Sequence, residues 1–144
     1  IHPRKNLDHL VQAFCRLKEK EHLDHQLVLV GRTLWDYPSF FKGIENSKFK
    51  NDIILPGYVA SEDIPALYQG ASLFVYPSFY EGWGLQTHEA MSSGIPLAIS
   101  NSSTLPEVSG DAAISFDPYD IDDMSRAIFK ILDNPKLQKE LVDK

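Results

Sequence analysis

Cysteine is almost absent from this 144-residue sequence, which contains only Cys15. A single cysteine cannot form a disulfide within the chain, so a disulfide-stapled secreted scaffold is excluded, and a reducing compartment fits this composition. Long hydrophobic runs are also lacking. No apolar stretch reaches the roughly 18 residues that a bilayer-spanning helix needs, which excludes an integral membrane domain within these residues.

Basic residues are outnumbered by acidic ones, with 14 Lys and Arg against 20 Asp and Glu, for a formal net charge of −6. Contacts with nucleic-acid phosphates require clustered Lys and Arg, so we expect no nucleic-acid partner. Hydrophobic residues make up 43% and charged residues 24% of the chain, both usual for a soluble globular domain. The length predicts one domain that buries about two-thirds of its extended surface.

An initiator methionine is missing, and the opening "IHPRKN" leads directly into a helical pattern. The apolar positions of "NLDHLVQAFCRLKEK" recur at helical spacing, and Asn6 is placed to cap this helix. We therefore expect residues 1–144 to be a piece of a longer protein.

Short apolar runs alternate with helical patterns along the rest of the chain. The runs "QLVLVG", "DIILPG", "SLFVYP", "PLAIS" and "AAISFD" predict five strands. Helices are predicted near residues 38–46, over "SEDIPALYQGA" with Ser61 as its cap, and from the glycine-containing loop "EGWG" to about Ser92. Two more are predicted over "DIDDMSRAIFKILDN" and from Pro135 onward. This order predicts a doubly wound, Rossmann-like α/β domain with a parallel sheet.

Parallel sheets of this kind bind ligands at the carboxyl ends of their strands. Here those ends carry "VGR", "PGYV", "YPSFYEGWG" and "ISNSSTLPE". The segment Ser102, Ser103 and Thr104 follows one strand end, where contact with a phosphate or an acceptor is one open alternative. The acidic stretch "DPYDIDDM" lacks the glycine of a calcium loop, so we expect Asp120 to cap a helix there.

Two glutamates, Glu81 and Glu89, flank a glycine loop with seven residues between them. Gly82 and Gly84 allow a tight turn, so the helix begins near Leu85, with Glu81 in the loop and Glu89 one turn into the helix. No capping side chain occupies this helix start, and its free N–H groups suit an anion.

Carboxylates beside a diphosphate are poor phosphate ligands but good acceptors for sugar hydroxyls, which indicates a nucleotide sugar. The alternative is that Glu81 is an ordinary loop residue and Glu89 a surface helix residue. "HEAMS" lacks the second histidine of a zinc-protease motif, which excludes that site.

The segment "PSFYEGWGLQTHEAMSSGIPLAISNSSTLPEVSGDAAISFDP" resembles the donor-binding signature of the retaining glycosyltransferases of family four, or group 1. The similarity extends over residues 1 to about 133. Trp83 stands where the family usually has Phe, and Gln86 where it usually has Pro. The resemblance implies the two-domain GT-B architecture, of which this chain would be the C-terminal half. The first strand of that half and the whole N-terminal acceptor domain would be absent.

The resemblance also implies roles for individual residues. Glu81 would hold hydroxyls of the donor sugar, Glu89 would hold the ribose hydroxyls, and Lys5 would neutralise the diphosphate, with Arg4 as a weaker candidate. Glu81 and Lys5 are thus the expected catalytic residues. The other expected donor-binding residues are Gly31 and Arg32 at one strand end, Tyr58 and Val59 around the base, and the loop residues Gly82, Trp83, Gly84 and Leu85.

The implied function is transfer of a sugar from a nucleoside-diphosphate donor, GDP-mannose or a UDP-hexose, to a glycan or lipid-linked acceptor. We expect no cofactor and no metal. The acceptor would be bound through the missing domain, so this piece alone should bind donor poorly and transfer nothing. The location would be cytoplasmic, with a peripheral contact at the inner membrane face left open. The alternatives are a GT-B nucleotide-sugar epimerase and a non-catalytic nucleotide-binding module.

Overall fold

The computed structural model describes residues 1–33 and 36–144, and within them helices alternate with strands. The helices are α1 (Leu7–Lys20), α2 (Pro38–Glu45), α3 (Ile64–Gly70), α4 (Leu85–Ser92), α5 (Leu105–Ser109), α6 (Ile121–Leu132) and α7 (Pro135–Val142). The strands are β1 (Leu27–Val30), β2 (Ile53–Gly57), β3 (Phe74–Tyr76), β4 (Leu97–Ser100) and β5 (Ala113–Phe116). Two single turns of 3-10 helix cover Pro3–Lys5 and Lys50–Asp52. No described helix is long and apolar enough to cross a membrane.

Every strand pair is parallel, as predicted, but the strands form two hydrogen-bonded sets. β1 pairs with β2, and β4 lies between β3 and β5. The predicted single sheet is therefore interrupted, because within residues 1–33 and 36–144 no ladder joins β1 to β3. The absence of a first strand and of an acceptor domain, which the resemblance implies, stays a prediction.

The two faces of β4 show why the domain is doubly wound. Successive side chains of a strand point to opposite faces. Ala98 belongs to the cluster under α1 and α6, together with Phe116 and Met124, whereas Leu97 and Ile99 belong to the cluster under α4 and α5. Burial of each large apolar side chain in these clusters contributes about 1.5–3 kcal/mol to stability. The predicted doubly wound α/β class is confirmed.

Asp120 caps α6 as predicted. Its carboxylate accepts hydrogen bonds from the backbone N–H groups of Asp122 and Asp123 at 2.8 and 3.0 Å. Two other predicted caps are wrong. Ser61 lies before the helix, and α3 begins at Ile64 with no side-chain cap bond.

Asn6 occupies the position before α1 but does not cap it with its side chain. Its backbone is left-handed, with φ of 55°, and its buried amide Nδ2 donates instead to the carbonyls of Pro77 and Pro118 at 3.0 and 2.8 Å. The amide thereby ties the start of α1 to two loops that follow β3 and β5. This places the opening segment at the carboxyl ends of the strands.

Candidate functional site

The loop between β3 and α4 has the predicted turn. Gly84 has φ of +79°, and α4 begins at Leu85 with no side-chain cap bond. A Cβ at Gly84 would lie 2.6 Å from Leu105 Cδ2, so the position has neither the backbone angle nor the space for a side chain. The first N–H groups of α4 are therefore left for solvent or a ligand.

Glu81 is buried in this loop, with 6% of its surface exposed, and its carboxylate is held by three side chains. Oε1 accepts hydrogen bonds from Lys5 Nζ and Ser78 Oγ, both at 2.7 Å. Oε2 lies 2.7 Å from Arg4 Nη1. A carboxylate has about four acceptor positions, so this arrangement leaves room for one further donor, on Oε2.

The pKa of Glu81 reflects two opposing effects. Burial raises the pKa, since it disfavours the charged form, but hydrogen bonds from Lys5, Ser78 and Arg4 together outweigh burial. The pKa is lowered from its usual value of 4.5, and the carboxylate is ionised at neutral pH. Arg4, Lys5 and Glu81 together carry one net positive charge.

The backbone of Glu81 is fixed by the loop after β4. Ser103 Oγ accepts from the Glu81 N–H at 2.9 Å and donates to the Glu81 carbonyl at 2.7 Å, and Thr104 Oγ1 donates to the same carbonyl at 3.2 Å. Each hydroxyl gives its single proton to the Glu81 carbonyl, and the open alternative of a phosphate or acceptor contact stays a prediction. The two hydroxyls hold Glu81 in place.

Lys5 lies between Glu81 and the end of β3. Its ammonium donates to Tyr76 Oη at 3.1 Å and lies 4.9 Å from the centre of the Tyr76 ring. The ammonium has three N–H groups, so two protein contacts leave one for a ligand. Arg4 is also anchored, because its guanidinium donates to the Tyr80 carbonyl and its own carbonyl accepts from Phe79 N at 3.0 Å.

Glu89 lies on the exposed side of α4, one turn from the helix start. Tyr68 Oη donates to Glu89 Oε2 at 3.0 Å, which fixes one carboxylate oxygen and leaves the other available. The pKa of the Tyr76 hydroxyl is raised above its usual 10.0. Burial is the largest cause, followed by the Glu81 carboxylate and, more weakly, the negative charge of Glu89.

The predicted base-binding residues lie together at the ends of β1 and β2. The Arg32 guanidinium lies 4.3 Å from the centre of the Tyr58 ring, a cation–π contact. Gly31 N donates to the Gly57 carbonyl at 2.9 Å, and the Ile1 ammonium donates to the Arg32 carbonyl. The opening segment thus joins this strand end to the glutamate loop.

The loop presents apolar side chains to solvent. Trp83 is 58% exposed and stacks on His88, with ring centres 6.1 Å apart and planes inclined by 27°. Leu85 is 63% exposed, and Gly82 has open space where a Cβ would be. The surface of the loop at Gly82, Trp83 and Leu85 is therefore exposed, whereas Gly84 is buried.

Comparison with known proteins identifies the family. The family profile described as "Glycosyl transferases group 1" matches residues 1–144. The O-antigen chain mannosyltransferase B of Escherichia coli is 42% identical over 132 residues, which are 92% of this chain and 35% of that protein. This chain belongs to the group 1 glycosyl transferases.

Two further similarities agree with this family. The MMP α-(1→4)-mannosyltransferase of Mycolicibacterium hassiacum is 31% identical over 144 residues, covering 98% of this chain and 34% of that protein. The structure of Anabaena HepE in complex with UDP superimposes with a TM-score of 0.84 at 20% identity, covering 98% of this chain and 39% of that one, which shows the shared fold. The chain thus spans about a third of the length of these two mannosyltransferases.

Three residues of this group 1 domain contact the predicted site residues but were not predicted themselves: Tyr68, Tyr76 and Ser78. The sequence gives little indication that these residues belong to the site, because tyrosines at strand ends and serines in turns are common without any functional role. Ser78 follows Pro77 in the quoted signature and was a detectable candidate. In the described parts of the chain, no group of three or more His, Cys, Asp or Glu residues is placed to hold a metal ion.

Proposed function

We propose that this chain is the donor-binding half of a retaining glycosyltransferase that uses a nucleoside-diphosphate hexose. One observation carries the proposal. Glu81 lies in the loop that ends at the uncapped amino terminus of α4, and it forms ion pairs with Arg4 and Lys5 of the opening segment. Two fixed cations and a set of free N–H groups suit one diphosphate. The 42% identical relative, which its name describes as a mannosyltransferase, favours a mannosyl donor.

The diphosphate would bind between the opening segment and α4. Lys5 would donate its third N–H, Arg4 its remaining guanidinium donors, and Gly82, Trp83, Gly84 and Leu85 their backbone amides. These groups would stabilise negative charge on the leaving diphosphate as the glycosidic bond lengthens. The cations supply the positive charge that this step needs, so we propose that neither a metal ion nor a cofactor takes part.

Glu81 would accept a single sugar hydroxyl at its remaining position on Oε2. This is narrower than the sequence-based expectation of several hydroxyls, because Lys5, Ser78 and Arg4 occupy the other positions. Glu89 would accept a ribose hydroxyl through the oxygen that Tyr68 leaves free. The base would lie against the backbone of Tyr58 and Val59, with Gly31 and Arg32 at its border.

The acceptor would bind to a domain outside these residues. We propose a glycan or lipid-linked acceptor, in line with the O-antigen relative, and a role in polysaccharide biosynthesis. The cytoplasm supplies nucleotide sugars, and a lipid-linked acceptor would bring the protein to the inner face of the membrane. Both the cytoplasmic location and that membrane contact are part of the proposal.

Donor consumption tests this function in the protein at its natural length. GDP-mannose, UDP-glucose and UDP-galactose would each be incubated with a mannan oligosaccharide acceptor and followed by phosphorus and proton NMR. We expect one donor to release its nucleoside diphosphate and form a glycosidic bond with the same anomeric configuration. A folded protein that consumes none of the donors would contradict the proposal. A change of the sugar without transfer would favour the epimerase alternative.

A further inference from the structure

Gln86, the second residue of α4, turns its side chain back toward β3. Its Oε1 accepts a hydrogen bond from Tyr76 Oη at 2.8 Å. The same tyrosine oxygen accepts from Lys5 Nζ at 3.1 Å. A single hydroxyl therefore separates the Gln86 amide from the Lys5 ammonium.

Both hydrogen bonds of the Tyr76 hydroxyl agree with the orientation of the Gln86 amide in the structure. A lysine ammonium can only donate, so Tyr76 Oη accepts from Lys5 and uses its own proton for Gln86. In the structure the amide presents its oxygen to Tyr76, so Nε2 points away from the tyrosine hydroxyl. Among the described residues, no group accepts a hydrogen bond from Gln86 Nε2, and the residue is exposed.

We propose that Gln86 Nε2 is a diphosphate-binding donor that Tyr76 holds in position beside Lys5. This inference rests on the proposed function and adds a side chain to its diphosphate contacts. An anionic acceptor fits better than a sugar hydroxyl, because Gln86 lies at the positive end of α4 and close to a lysine. Proline, which the resemblance gives as the usual residue at this position, has no side-chain donor for this contact.

Substitutions at Gln86 separate this role from a structural one. Gln86→Glu retains an oxygen for Tyr76 but replaces the N–H donor with negative charge. Gln86→Met retains the length and removes both polar groups. Gln12→Glu, on the exposed part of α1, is the matched control for the change in net charge.

The experiment is calorimetric titration of the protein at its natural length with GDP and UDP, and with guanosine and uridine. For the diphosphate that binds the unmodified protein, we expect Gln86→Glu to weaken binding about tenfold or more and Gln86→Met several-fold. Affinity for the matching nucleoside should not change, because it has no phosphate. Gln12→Glu should leave both affinities unchanged.

Two results would overturn the inference in different ways. Unchanged diphosphate affinity in Gln86→Glu, or an equal loss for diphosphate and nucleoside, would reject the Gln86 contact and leave the proposed function intact. Failure of the unmodified protein to bind either diphosphate would reject both. The thermal midpoint of Gln86→Glu, expected to match that of the unmodified protein, shows that any loss of affinity is local.

Discussion

Lys5 Nζ and Glu81 Oε1 lie 2.7 Å apart although 76 positions separate them in the sequence. The resemblance assigns these residues different ligand groups, the diphosphate for Lys5 and the sugar for Glu81. The ion pair links the two roles, since removal of Glu81 would take one anchor from each cation and leave Lys5 on Tyr76 and Arg4 on the Tyr80 carbonyl. Glu81 is therefore a positioning residue for the cations as well as the expected sugar contact.

Glu81→Gln should destabilise the domain in a pH-dependent way. The lowered pKa means that Glu81 contributes stability above its usual pKa of 4.5, and that this contribution is lost as the pH falls below that value. Urea unfolding should show a difference of about 1–3 kcal/mol between the two proteins at pH 7, from the loss of charge-assisted bonds. The difference should shrink below pH 4.5. A difference that stays constant from pH 7 to pH 3 would contradict the ion-pair explanation, and Glu62→Gln, in an exposed turn, serves as the control.

Gly84→Ala should destabilise the domain far more than Gly82→Ala. An alanine at position 84 must adopt a left-handed backbone, at a cost of about 1–2 kcal/mol, and its Cβ would clash with Leu105. A Cβ at Gly82 meets no atom within 4 Å. Thermal unfolding of both variants measures this contrast. Equal midpoints would show that the turn at Gly84 is not as constrained as the structure indicates.

Tyr68→Phe should weaken ribose recognition without removing a charge. The variant loses the 3.0 Å hydrogen bond that orients Glu89, so affinity for the bound nucleoside diphosphate should fall about three- to tenfold. Affinity for its 2′,3′-dideoxy analogue should not change, because that ligand has no ribose hydroxyls for Glu89. An equal loss for both nucleotides would place the effect elsewhere. Tyr119→Phe, at a residue that is 70% exposed, is the control.

Asp120→Ala should cost about 1 kcal/mol of stability, since two backbone N–H groups of α6 lose their acceptor. Ser61→Ala should cost almost nothing, because Ser61 lies outside α3 and caps no helix in the structure. Chemical unfolding of the two variants distinguishes these residues. A loss at Ser61 equal to that at Asp120 would support the sequence-based cap instead.

Local patterns in the sequence predicted the features that local interactions determine. The Asp120 cap and the start of α4 at Leu85 depend on neighbouring residues, and both are confirmed. Helix α5 was missed because its five residues, "LPEVS", are too few to show an apolar period. The interruption of the sheet was also not predicted, because the alternation of helical and strand patterns indicates where strands lie but not which strands pair.

Long-range contacts determine the parts of the site that were not predicted. Asparagine is a common helix cap, yet the Asn6 amide donates hydrogen bonds to two backbone carbonyls that are 71 and 112 positions away in the sequence. Ser103 binds the Glu81 backbone from another loop, 22 positions away. Such partners depend on how the elements pack, and no spacing along the chain indicates them.

The most direct test of the donor site is calorimetric titration of the protein at its natural length with GDP, UDP and ADP. One of the three should bind saturably, and Glu89→Ala should weaken that binding about tenfold, while Glu62→Ala should not. Absence of binding by all three at millimolar concentration would contradict the donor site. Unchanged affinity in Glu89→Ala would contradict the role of this carboxylate in holding the ribose.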